Sequence, residues 1–212
     1  MKNTSIKLEI LIFVLICAFL IFPPFFTPAV TVDSFLFDWS FPVKQLSLCI
    51  FALVLYFLLD KYLAVKASKF FFPSLISLGS LLAIAFLIKF IVSRFNFVML
   101  QNPLPHGKIQ IFFCILTFLL SALYEEIIYR FYLPGEIIRL FKFKFDSPFF
   151  LYLGEFLALA AFSFAHLYLG WFSVINAFAA HIILRLLYRY TGCIWNCVIV
   201  HFFYNIISLI LL

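Results

Sequence analysis

The chain has 212 residues, 67% of them hydrophobic and 11% charged, against roughly half apolar and a quarter charged in soluble domains. That balance excludes an ordinary soluble domain and predicts an integral membrane protein, an all-α polytopic bundle of transmembrane helices. The net charge of +6, from 15 Lys and Arg against 9 Asp and Glu, would suggest nucleic acid in a soluble domain. Here the basic residues sit mostly in short loops between apolar runs, so topology accounts for them and no nucleic-acid partner is expected.

In chain order, the apolar periods predict seven helices, at about 8–26, 42–59, 72–93, 109–133, 149–168, 171–189 and 194–212. The first follows Lys2 and Lys7 and reads as a retained helix, because "FPPFFTPAV" after it holds no small-residue cleavage site. "FPPFFTP", "NPLPHG", "DSP" and "TGC" are the connectors, each with residues that break helices or favour turns. With the N-terminus cytoplasmic, the inner segments carry Lys2, Lys7, Lys61, Lys66, Lys69, Arg130, Arg139, Lys142, Lys144, Arg185 and Arg189, leaving Lys44, Lys89, Arg94 and Lys108 outside. This asymmetry fits seven spans with the N-terminus in and the C-terminus out. The 33 Phe residues are spread over every span and read as lipid-facing and core filler.

Five cysteines, Cys17, Cys49, Cys114, Cys193 and Cys197, are odd in number and mostly inside apolar runs, which is no disulfide framework. Cys193, Cys197 and His201 recur every four residues and could offer a stripe to a soft metal; small packing residues are the preferred reading.

A charge deep in hydrocarbon costs at least a few kcal/mol, so each needs a partner, a cavity or a function. The candidates are Glu125 and Glu126 near the end of the fourth run, Glu155 and His166 in the fifth, His181 in the sixth, and His201 with Asn205 in the seventh. Glu126 and Arg130 are four apart and can pair on one helix face. Glu125 lies about 100° round the helix and is left for other work. His201 with Asn205 in "HFFYN", and Phe162 with His166 in "FSFAH", repeat the four-residue spacing. Together three helices supply a carboxylate, two imidazoles and a carboxamide, the groups that water activation and carbonyl polarisation require. Glu155 reads as an interfacial boundary residue. The stripe of His181, Arg185 and Arg189 reads as reaching lipid phosphate or a neighbouring carboxylate at the cytoplasmic rim.

With "EEIIYR" at 125–130, "FSFAH" at 162–166 and "HFFYN" at 201–205 in order on separate helices, the chain resembles the CPBP membrane proteases. These include type II CAAX prenyl endopeptidases and bacteriocin-processing or immunity proteins, whose pattern is EExxxR, FxxxH and HxxxN. The resemblance covers roughly 109–212. It divides a single membrane domain, 1–212, into three variable N-terminal spans in 1–108 and a four-helix catalytic core in 109–212. The family often has glycine after the arginine, where this chain has Phe131.

The resemblance implies an intramembrane endopeptidase cutting a membrane-associated or lipid-attached peptide in the bilayer. It makes Glu125 the base, has His166 help activate water, and gives His201 and Asn205 the oxyanion, with Glu126, Arg130 and Phe162 supporting. Family members are often labelled metalloproteases, while a metal-free glutamate mechanism is also argued for them. Glu125, His166 and His201 could bind zinc with an open position for water, and both readings stay open. For a chain of the bacterial cytoplasmic membrane, a leader peptide, bacteriocin precursor or other membrane protein is the expected substrate. The alternatives are an immunity-type protein that binds a peptide without cutting it and a proton-coupled transporter relaying through Glu125 and His166.

One expectation concerns depth. Counted from the cytoplasmic ends, Glu125 and His201 lie about five to eight residues in, and His166 about 17. The fifth helix is therefore expected to begin interfacially or to tilt, and a separation above about 10 Å between His166 and Glu125 would break the site.

Overall fold

Hydrocarbon offers the backbone no hydrogen-bond partner, so a spanning segment must satisfy its own peptide groups. A computed structural model describes residues 6–26, 40–59, 71–95, 97, 104–105, 107–142 and 149–211, and among these the chain is helix and turn with no strand. Helix α1 (Ile6–Ile16) is prolonged by a π turn, Cys17–Ile21, and a 3-10 turn, Pro23–Phe26. Then come α2 (Ser40–Leu59), α3 (Phe71–Arg94), and α4 (Gly107–Glu125), which runs through a π turn, Glu126–Tyr132, into α5 (Leu133–Lys142). Helix α6 (Phe149–Phe164) ends in a turn and a short 3-10 piece, Leu167–Leu169, before α7 (Trp171–Thr191) and α8 (Ile194–Leu211).

Helix therefore stands at all seven expected places. Five stretches are long and apolar enough to cross a membrane: Phe71–Arg94, Gly107–Leu140, Phe149–Leu169, Trp171–Thr191 and Ile194–Leu211. The first two helices hold shorter apolar stretches, Ile10–Phe26 and Val43–Leu58. Lys2, Lys61, Lys66, Lys69 and Lys144, on which the loop-charge asymmetry partly rests, lie outside the described residues. So do the connector at 146–148 and parts of those at 22–28 and 102–107.

The bundle is built round α4 and its π turn. Over its most apolar 18 residues the Gly107–Leu140 stretch is 44% buried, against 28% for those of α3, which marks one as central and the other as peripheral. Helix α2 packs on α4, α4 on α8, α3 on both α7 and α8, and α6 on α5 and α7, while the π turn touches α2, α6, α7 and α8. Small side chains let backbones approach, as interhelical contacts in lipid require. Ala52 and Ala122 are fully buried, and the Cys49 thiol donates to the Leu120 carbonyl at 2.8 Å across the α2–α4 contact. The large apolar side chains that point outward, Phe19, Phe57, Phe72, Phe90, Phe112, Phe156 and Phe203 among them, form the surface that lipid tails cover. Between α7 and α8 the chain reverses at Gly192, whose φ of 66° is left-handed and whose N–H caps the Tyr188 carbonyl at 2.7 Å.

The fourth helix departs from expectation. The prediction ends it near residue 133, ahead of Pro134 and Gly135, but it continues to Lys142. Glu125 and Glu126 thus lie mid-helix, not near an end, and every residue of the π turn is buried. The continuation also resolves the depth mismatch. Glu125 stands seventeen residues before Lys142 and His166 seventeen after Phe149, so in the antiparallel pair they meet at one level.

Candidate active site

Two carboxylates share the junction between α4 and the π turn, and each has different neighbours. Glu126 is wholly buried, and its Oε1 receives Arg130 Nη1 at 2.7 Å and His201 Nδ1 at 2.6 Å. The contact with Arg130 is a close ion pair rather than a well-aligned hydrogen bond. Glu125 is one-fifth exposed, and its Oε2 lies 4.0 Å from His166 Nε2 and 3.8 Å from His201 Nε2. That oxygen is buried and accepts no hydrogen bond among the described residues. Separations near 4 Å are too long for direct hydrogen bonds and are those of groups that share a water.

Each histidine is oriented by its far nitrogen. Helix α6 stops at Phe164, and His166 sits in the following turn with φ −96° and ψ 5°, a sparsely used conformation common at active sites. Its Nδ1 lies 2.9 Å from the Phe162 carbonyl, which can only accept, so Nδ1 carries the proton and Nε2 presents a lone pair to Glu125. His201, from α8, donates Nδ1–H to the ion-paired Glu126 carboxylate, which leaves its Nε2 facing Glu125.

Phe162, 2% exposed, is the ring round which the site is packed. The Arg130 guanidinium carbon lies 4.3 Å above its centroid, a cation–π contact, and the rings of His166, Tyr129, His181 and His201 stand 4.9, 5.4, 5.5 and 6.4 Å away. Phe131, in the position where the resembled family often has glycine, packs its ring 5.0 Å from Tyr56 of α2, which in turn meets Trp195.

The structure thus brings together Glu125, Glu126, Arg130, Phe162, His166 and His201. Asn205, one turn beyond His201 on α8, is half-buried, and its side-chain amide makes no hydrogen bond to another described residue. Two charged residues given peripheral places by the sequence are half-buried and paired. Glu155 of α6 receives Arg185 of α7 at 2.7 Å (Nε to Oε2) and 2.5 Å (Nη2 to Oε1), so it has an ion-pair partner on the next helix. Arg185 finds the neighbouring carboxylate and also donates Nη1 to the Arg130 carbonyl at 2.6 Å. The signal for this was Pro134, four residues after Arg130, which cannot donate to that carbonyl. His181, expected on a stripe toward the rim, is buried against Phe162.

A metal at Glu125, His166 and His201 finds no support in this geometry. Among the described residues no group of three His, Cys, Asp or Glu is placed to hold a metal ion, Cys193, Cys197 and His201 included. The metalloprotease expectation is not carried further.

Residues 107–207 match the family model described as type II CAAX prenyl endopeptidase, Rce1-like. Over that stretch the chain is similar to the Rce1-like endopeptidases. The matched stretch opens where α4 opens and includes all three motifs. Helices α1 to α3 precede it. Comparison with curated proteins and with solved structures found no match.

Proposed function

We propose that the protein is an intramembrane endopeptidase in which Glu125 activates water against a peptide bond. The observation that carries this reading is the convergence of two imidazole Nε2 atoms on one carboxylate oxygen, at 4.0 and 3.8 Å, inside a helical bundle. A water shared by Glu125 Oε2 and His166 Nε2 gives each acceptor a proton to hold and turns its own lone pair outward. As that oxygen bonds to the carbonyl carbon, its proton passes to Glu125 and the carbonyl π pair moves onto oxygen. His201, with Glu126 against Nδ1, is able to carry a second proton on Nε2 and donate it toward the oxyanion, joined by the Asn205 amide. Collapse breaks the C–N bond, and Glu125 returns its proton to the leaving nitrogen, yielding an amine and a carboxylic acid.

The substrate class that suits a site buried among helices with an oily exterior is a peptide that already lies in the bilayer, by a lipid or by its own span. The similarity of residues 107–207 to type II CAAX prenyl endopeptidases supports the same class. The test compares new protein N-termini in membranes of cells making wild type and cells making Glu125→Gln at equal abundance. Termini present only with wild type are expected. Identical sets, with retained binding of a membrane peptide, would convert the site from a catalyst into a receptor of immunity type.

A further inference from the structure

In an α-helix the N–H of residue 134 would donate to the carbonyl of residue 130. Proline has no N–H, and its ring crowds the carbonyl four residues back. Here a π turn leads up to the proline, closed by the Leu133 N–H on the Ile128 carbonyl, and Arg185 Nη1 donates to the Arg130 carbonyl at 2.6 Å. The rest of the guanidinium is gripped by both oxygens of Glu155, at 2.7 and 2.5 Å, the forked geometry that gives arginine pairs their directionality. Glu155 comes within reach because its neighbour is Gly154. A Cβ on Gly154 would stand 3.0 Å from Ile138 Cγ1 and 3.3 Å from the Pro134 carbonyl oxygen, so α6 lies against α5 at the proline itself.

We infer that Arg185 is a positioning residue for the site. Anchored by Glu155, it replaces the donor that Pro134 withholds, and it thereby fixes the π turn that aims Glu126 at His201 and carries Glu125 at its edge. A π turn holds one residue more than the α turn it replaces, so its loss would swing the following residues by about 100° relative to α4. With α5 held against α6, α4 would take up that swing and turn Glu126 away from His201, which would lose the acceptor of its Nδ1 proton. The kinetic part of this inference rests on the endopeptidase reading; the geometric part does not.

The experiment uses the full chain in lipid nanodiscs. Arg185→Met is combined with Glu155→Gln, so that neither charge is left alone, and Pro134→Ala is then added to return the missing N–H. Two readouts are taken: the downfield imidazole proton resonance of His201 Nδ1–H, and cleavage of a membrane peptide identified by the N-terminal comparison. The double variant should lose the resonance and lower kcat about a hundredfold with little change in KM, the cost of misplacing a reacting group by about 1 Å. Adding Pro134→Ala should restore the resonance and recover at least about tenfold in kcat. An unchanged resonance in the folded double variant, or no recovery with Pro134→Ala, would overturn the inference. A wild type that cuts nothing would sink the endopeptidase reading alone, since the resonance and its rescue decide the positioning role without it.

Discussion

Glu125 and Glu126 are adjacent in the chain and chemically identical, yet substitution at each should fail in a different way. Glu126 neutralises Arg130, which is 0% exposed and has no other acidic partner among the described residues. Glu126→Gln should therefore cost about 3–5 kcal/mol, the usual penalty for stranding one member of a buried pair. Glu125→Gln removes a carboxylate whose Oε2 makes no hydrogen bond, and should shift stability by less than about 1 kcal/mol while abolishing cleavage. Thermal unfolding of the two variants in the same detergent measures the contrast; equal melting temperatures would contradict it. At this scale the site was legible wherever a charge stood in hydrocarbon without local excuse, which is why 125, 126, 130, 166 and 201 could be named beforehand. The contacts of Arg185 with Glu155 and with the Arg130 carbonyl could not be named, because they span 30 and 55 residues of chain, beyond any helical spacing rule.

Among the elements, the pair α5–α6 decides whether the two halves of the site meet. Gly154→Val should push the helices apart at Pro134 and Ile138, costing about 1–3 kcal/mol as overpacking does, and should draw Glu155 away from Arg185. Gly135→Ala is the companion substitution: nothing lies within 4 Å of a Cβ there, so it should be neutral or stabilise by about 0.5–1 kcal/mol. Unfolding midpoints of the two variants test the difference, and a Gly154→Val protein as stable as wild type would count against the close approach. Helix existence was plain from the apolar periods, whereas the join at Pro134 was not. A proline followed by glycine reads locally as a stop, and only a donor from α7 and a turn of wider pitch show why the helix passes it.

For the molecule as a whole, composition alone announced a helical membrane bundle, because an exterior this rich in hydrocarbon has no other stable solvent. Lateral order within the bundle was not legible: periodicity says which residues share a face but not which helix that face meets, so the burial of the π turn among α2, α6, α7 and α8 had to be seen. The continuous Gly107–Leu140 stretch has a further bearing on where the protein can work. Thirty-four residues rise about 51 Å, while the hydrocarbon slab is about 30 Å thick. Such a helix has to lean, or stand proud of the headgroups with its Glu136–Arg139 end. Glu125 lies near the middle of that length, so the tilt that a given membrane imposes sets how far the carboxylate sits from either water layer. Cleavage rates in vesicles of increasing acyl length should accordingly pass through a maximum, and a flat response would mean the bundle deforms the lipid instead. The bilayer would then act as a ruler, with its thickness deciding which bond of an embedded chain comes level with the carboxylate.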